Sequence, residues 1–339
     1  MSVNNPACYN GVVGGFIMII ANRWKGFFCV VLAACLWGLS GTVAKYLFNR
    51  QVNPFDLVQV RLTFSFLLLL FYLAMTNRRL LYIDRRDFSY MLVFGLFGVA
   101  AVQFTYLYTI SKTNVATAIF LQYLAPALVM LYDLFFKKEK LALTGALALL
   151  WAVGGGFMIA KGSLGGGFAV SGVGLVSGLA SAAAFAFYTV YGKRGLAVYS
   201  PWTLLLYGFG VGAATWLFYR MPWLTVMHYG WQDWLFFLYI AVFATIIPFG
   251  FYFKGLRYLT PVKTGLTSTL EPVVAAVLAY LMLGEKLTVI QIGGCVMILG
   301  AVILIQLSAA AEKAGAISEP PAPAVTRLGA RELGASPHN

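Results

Sequence analysis

Two ionisable side chains stand alone inside long apolar stretches. Glu271 opens EPVVAAVLAYLML, and Arg61 interrupts FDLVQVRLTFSFLLLLFYL. If these stretches cross a bilayer at 1.5 Å per residue, Glu271 lies roughly 12 Å and Arg61 roughly 10 Å from the nearer end of its helix. A charge at such depth is costly unless it faces a cavity or a partner. A carboxyl group placed there can take up and release a proton, which makes Glu271 a candidate for coupling transport to a proton gradient. It can equally serve as a brace, bonding the backbone groups freed by Pro272 or the hydroxyls of Thr267 and Thr269. Arg61 can attract a substrate carboxylate, pair with a helix C-terminus, or stretch its charge to the interface along its own apolar stem. Asp133, four residues before Lys137, predicts an interfacial pair on one helix face.

Other polar and aromatic groups fall near the same depth. Gln103, Gln122 and Tyr123 lie close to Pro126 in depth or sequence, while Trp37, Ser40 and Tyr188 occupy comparable places on two further helices. Together with Glu271 they predict an amphipathic pocket with aromatic walls and a few hydrogen-bonding groups. Pro126 and Pro272 each remove a helical N–H and mark helix breaks. Catalysis has little to stand on. The two histidines, His228 and His338, fall in a loop and a tail, and no paired carboxylates occur within the apolar runs. Cys8, Cys29, Cys35 and Cys295 show no metal or CxxC spacing. No phosphate-binding loop of the P-loop type is present. We therefore expect no enzyme, catalytic residue, metal or cofactor.

The elements that must hold these groups follow from composition. Of 339 residues, 61% are hydrophobic and 10% charged. A soluble surface needs far more charge. The net charge of +13 is spread singly or in small groups between apolar runs, so it points to a membrane surface and not to nucleic acid. Ten apolar segments are legible at about 26–46, 54–76, 88–110, 114–136, 142–160, 170–192, 202–220, 232–253, 264–283 and 288–307. They are too long and too continuously apolar for barrel strands, which leaves an all-α bundle whose backbone bonds close within each span. Most of the 24 Lys and Arg fall in alternate loops, notably Arg78, Arg79, Arg85 and Arg86, then Lys137, Lys138 and Lys140, then Lys254, Arg257 and Lys263. This bias puts both termini on the cytoplasmic side of the cell membrane. Trp223, Tyr229, Trp231 and Trp234 suit an outer interfacial belt. The run Gly11–Ile20 is too short to span, no positive residue precedes it, and Met18 is an alternative start. From Ala309 onward, Ala, Pro and Glu predict a disordered tail.

The chain repeats itself. Pro126 stands thirteen residues before Glu139, and Pro272 thirteen before Glu285; both glutamates begin an E-K-L triplet, and both pairs sit at one common offset. The same offset pairs Phe97 with Phe243 and Tyr106 with Tyr252, and a slightly shifted one sets Trp37 opposite Phe185. The chain accordingly divides into an N-terminal extension at 1–25, one five-helix repeat at 26–160, a second at 161–307 and a tail at 308–339. An odd number of spans per repeat inverts the second relative to the first, a construction suited to alternating access. The stretch LEPVVAAVLAYLMLGEKLT, the Trp37–Gly38 pair and the five-plus-five arrangement resemble the drug/metabolite transporter superfamily, EamA type. The first repeat departs from the pattern at Ala125, opposite Glu271. The resemblance implies a ten-helix secondary carrier with a central cavity, often exporting amino acids or related metabolites. Its implied partners are a small-molecule substrate, the lipid bilayer and, in the coupled case, protons. An uncoupled facilitator or exchanger of another organic solute is the alternative, and a membrane receptor or assembly subunit a further one.

Overall fold

The computed structural model of the chain describes residues 6–138, 143–163, 171–219, 221, 225, 227–283 and 286–318. All regular secondary structure among them is helical. In chain order the helices are α1 (Pro6–Asn49), α2 (Pro54–Thr76), α3 (Arg85–Lys112), α4 (Val115–Phe136), α5 (Leu143–Gly162), α6 (Gly172–Gly195), α7 (Pro201–Leu217), α8 (Trp231–Tyr258), α9 in two pieces (Pro261–Ser268 and Glu271–Leu283), and α10 (Val289–Ser318). Eight stretches among the described residues are long and apolar enough to cross a membrane: α2 to α6, α8, and the parts Ala21–Ser40 of α1 and Val289–Leu307 of α10. The predicted segments 202–220 and 264–283 correspond to α7, which has 17 residues, and to α9, which is broken. Phe71, Phe135, Leu150, Leu281 and Val296 are exposed on the outside of the bundle. Water would penalise such a surface, and lipid does not.

Local chemistry sets the helix starts. The side chain of Asn53 accepts from the backbone N–H of Phe55 at 2.9 Å, with Pro54 as the first helical residue of α2. Ser200 caps α7 before Pro201, and Thr260 caps α9 before Pro261, in the same way. A capping oxygen followed by proline satisfies one free N–H and removes another. Asn114 and Ser171 cap α4 and α6 without the proline.

Glycine permits the closest crossings. A Cβ on Gly155 of α5 would lie 2.6 Å from the carbonyl oxygen of Gly294 of α10, and one on Gly294 would lie 2.5 Å from that of Gly155. The two backbones touch there, as small residues allow in lipid, where packing drives helix association. Gly38 brings α1 against α9 in the same manner, since its Cβ would lie 3.0 Å from the Glu271 carbonyl oxygen.

Two irregularities recur. Within α3 the residues Phe94–Ala100 form a π-helical stretch, and within α8 so do Val242–Ile246. Helix α4 is interrupted at Tyr123–Leu124 and α9 at Thr269–Leu270, each by a tight turn. Pro126 and Pro272 do not kink a continuous helix. Each is the second residue of the piece that follows the turn, where a missing N–H costs nothing.

The ends of the chain differ from the sequence expectation. Residues 6–25 belong to α1, which runs unbroken from Pro6 through the run Gly11–Ile20. The tail does not begin at 308: α10 continues to Ser318, through an alanine-rich stretch of high helix propensity. Residues 319–339 lie outside the described residues, as do Glu139, Lys140, Leu141 and Glu285 of the E-K-L triplets.

Candidate functional site

A cavity of about 40 Å³ lies at the meeting point of α1, α2, α3, α4, α6, α8 and α9. Helices α5, α7 and α10 contribute no side chain to it. Of the residues singled out in the sequence, Trp37, Ser40, Arg61, Gln103, Gln122, Tyr123 and Glu271 line it. All seven are buried.

Glu271 reaches the cavity because the turn at Thr269–Leu270 starts a new helix with this residue at its first position. Its carboxylate accepts a hydrogen bond from the Tyr123 hydroxyl at 2.8 Å and a longer one from Tyr106 at 3.4 Å. Tyr123 sits at the matching break of α4, so the two interrupted helices are joined by this bond. The two hydroxyls considered as bracing partners for Glu271 donate elsewhere. Thr267 donates to the Lys263 carbonyl at 2.8 Å and Thr269 to the Leu266 carbonyl at 2.6 Å.

Arg61 does not extend toward the interface. It is 6% exposed and turns inward, because α8 offers it acceptors. Its Nε donates to Thr245 Oγ1 at 2.5 Å and its Nη2 to the Ala244 carbonyl at 2.7 Å. Both belong to the π-helical stretch, where the normal backbone pairing is displaced and carbonyls become free to bond sideways. Ser65, one turn along α2, uses the Ala241 carbonyl in the same way at 3.1 Å. The guanidinium also stands 6.0 Å from the ring centre of Phe249. Among the described residues Arg61 and Glu271 form no ion pair, although they line one cavity.

The remaining walls are aromatic. Trp37 packs against Phe249 with ring centres 4.9 Å apart and against Phe185 at 6.3 Å. Trp37 Nε1 and Gln103 Nε2 are buried donors with no partner among the described residues. Gln122 instead donates to Ser181 at 2.9 Å, and Ser40 to the Trp37 carbonyl at 2.9 Å. Tyr188 is not among the lining residues: it is fully buried behind Phe185, stacked on that ring and on Phe94. Asp133 and Lys137 pair at 2.7 Å on α4, away from the cavity, as their spacing predicts. Sequence reasoning missed Tyr106, Thr245 and Phe249. Tyr106 was visible only as a repeat partner of Tyr252, and nothing in the residue types at 242–246 announces a π-helical turn.

Hydrogen bonds tie the helices together toward both ends of the bundle. At the end carrying residues 77–87, Lys193 of α6 donates to the carbonyls of Leu256 at 2.5 Å and Leu259 at 2.8 Å, at the end of α8. Arg194 bonds the Tyr132 hydroxyl of α4. At the opposite end Tyr229 donates to Asp56 at 2.9 Å and Thr225 to Gln59 at 2.9 Å.

A bundle with an apolar outer surface and a buried cavity bordered by two broken helices has known relatives. The model of the EamA-like transporter family matches residues 24–161 and again 172–307. The chain belongs to the EamA-like transporter family. It is a multi-pass membrane transporter. Among its relatives, the uncharacterized inner membrane transporter YicL of Salmonella typhimurium is 31% identical over 84% of this chain and 95% of its own length. An uncharacterized transporter of Archaeoglobus fulgidus is 28% identical over 81% of this chain and 94% of its own. A solved crystal structure superposes with a TM-score of 0.66 at 19% identity, covering 85% of this chain and 97% of the other, and so shares the fold.

Proposed function

We propose that this EamA-like chain is a secondary carrier of small amphipathic metabolites, amino acids foremost, built as two inverted five-helix repeats that open the cavity alternately to either side. The observation that carries the proposal is the cavity itself. It sets Arg61 and Glu271 among aromatic walls, and it holds two buried donors, Trp37 Nε1 and Gln103 Nε2, that have no acceptor among the described residues. Buried polar groups left unpaired are costly, and a bound acceptor such as a carboxylate would satisfy them. An ammonium group suits the carboxylate side of the same cavity. At about 40 Å³ the cavity holds little more than a water molecule. Loading a metabolite therefore requires the helices around it to separate, which is what alternating access provides.

Matching irregularities support the inverted repeat. The π-helical stretches fall around Phe97 and Phe243, residues paired by the repeat, and the helix breaks fall just before Pro126 and Pro272. Discontinuous helices near the middle of inverted repeats are where carriers bind substrates. The alternation of basic loops supports both termini in the cytoplasm, and the name of the Salmonella relative supports an inner membrane location. Export is the direction favoured by the resemblance. Glu271 is the candidate proton carrier, being a carboxyl group in the cavity held by neutral hydroxyls and free of a direct ion pair.

Purified protein in proteoliposomes, screened with labelled amino acids with and without a pH gradient, tests this reading. Saturable exchange of an amino acid that is blocked by Trp37→Phe or Gln103→Leu is the expected result. Exchange that neither substitution alters would overturn the assignment of the cavity. Exchange that ignores the pH gradient would make the protein an uncoupled exchanger.

A further inference from the structure

A second hollow, larger than the central cavity and almost wholly apolar, opens elsewhere on the bundle. A groove of about 630 Å³ lies between α2, α3 and α7, walled by Phe66, Leu70, Leu92, Leu96, Val211 and Ala214. Its few polar atoms are spent internally. Tyr207 donates to the Leu81 carbonyl at 2.7 Å, and Thr215 to the Val211 carbonyl at 2.8 Å. What remains is apolar surface. Leu206 to Phe218 along α7 corresponds to about 18 Å of groove at 1.5 Å per residue. One leaflet of a bilayer offers about 15 Å of hydrocarbon, half of its core thickness. The groove therefore matches a single acyl chain in length.

Its mouth is basic. Leu81 and Phe88 form the rim at the end of the bundle that carries residues 77–87. Arg78 and Arg79 lie just before Leu81, and Arg85 and Arg86 just before Phe88; all four are exposed. Asp84 and Asp87 offset two of these charges, and the segment 78–87, with four arginines against two aspartates, keeps a net charge of +2. Asp84 accepts the backbone N–H of Arg86 at 3.0 Å, Asp87 accepts the Tyr199 hydroxyl at 2.5 Å, and none of the four arginines forms an ion pair among the described residues. Arg78 also donates from Nε to the Ala74 carbonyl at 3.0 Å, which fixes its guanidinium near the end of α2.

We infer that this groove is a binding site for an anionic phospholipid, with one acyl chain between α2, α3 and α7 and the phosphate against the arginines of 78–86. A zwitterionic lipid would fill the groove equally well but would gain little at its mouth. Basic residues beside a membrane surface attract anionic headgroups by about fivefold in binding for each charge. The site shares no residue with the central cavity, and its existence does not depend on which substrate that cavity carries.

Native mass spectrometry of the full-length protein, exposed to equal amounts of phosphatidylglycerol and phosphatidylcholine with identical chains, reads the site directly. The wild type should retain phosphatidylglycerol in clear preference. Arg79→Gln combined with Arg85→Gln should reduce that preference about 25-fold, one factor for each charge, while leaving phosphatidylcholine adducts unchanged. Ala214→Trp, which puts a ring into the groove from an exposed position, should displace both lipids. The gentler Ala214→Leu, with monodisperse elution as the check on folding, should reduce them partly. Equal retention of the two lipids by the wild type would overturn the inference. So would undiminished phosphatidylglycerol binding by folded Ala214→Trp, because the arginines would then be holding a headgroup with no chain in the groove.

Discussion

At the scale of single residues the cavity separates groups by what their bonds leave over. Glu271 is held by two hydroxyls that can donate to a carboxylate and, once it is protonated, accept from it. Glu271→Gln keeps the shape and most of the bonding but cannot titrate. If Glu271 couples transport to protons, this variant should lose accumulation driven by a pH gradient and keep substrate exchange, measured in the same proteoliposomes; gradient-driven accumulation at the wild-type rate would end the coupling role. Arg61 is bound on one side to Thr245 and the Ala244 carbonyl, leaving its remaining donors to serve the cavity. A charged hydrogen bond contributes about 1.5–3 kcal/mol, so Arg61→Gln should weaken binding of a substrate carboxylate by about 10- to 100-fold. Binding of the corresponding amide should change much less, and a competition assay with the two ligands distinguishes the outcomes. Most of these residues were legible in the sequence, because a polar or charged group in an apolar helix is conspicuous against its neighbours. Tyr188 was equally conspicuous and lies one layer behind the cavity, since which face of a helix turns inward depends on packing partners far away in the chain.

The helices reveal what residue types alone conceal. Caps such as Asn53–Pro54 and Thr260–Pro261 can be read directly from sequence, and they fall where the structure starts α2 and α9. The π-helical stretches cannot, because no residue type at 94–100 or 242–246 marks the displaced backbone pairing that, in α8, Arg61 exploits. The glycines of α5 and α10 carry the tightest steric demand. Gly155→Val should clash with the facing backbone and destabilise the fold by about 1–3 kcal/mol, the usual cost of overpacking. Gly172→Ala, which meets nothing within 4 Å, should leave stability nearly unchanged. Thermal unfolding in detergent, with both variants run beside the wild type, checks the contrast.

For the whole molecule, the basic loops and the aromatic belt set an expected orientation. Single cysteines introduced at Arg79 and at Gly230, on a background without native cysteines, should be labelled from opposite sides of the membrane, the first from the cytoplasm. Labelling of Gly230→Cys from the cytoplasm and Arg79→Cys from outside would reverse the orientation, and labelling of both from one side would remove the argument for inverted repeats. The helical class was readable from composition alone, whereas the continuation of α10 to Ser318 was not, since a run of alanine and polar residues reads equally well as a loose tail. The contact between Gly155 and Gly294 bears on how such a molecule can move. Helices α5 and α10 stand apart from the cavity and meet backbone to backbone. A seam that tight, with Trp151 seated over Gly300 and Met297 over Gly154, resists being pulled open and holds the two helices together as one body. If the carrier alternates as proposed, this pair is the fixed axle and the helices that line the cavity are the long arm of the lever. A small turn about it becomes a wide displacement at the far rim, so the doorway can swing while the hinge pin barely stirs.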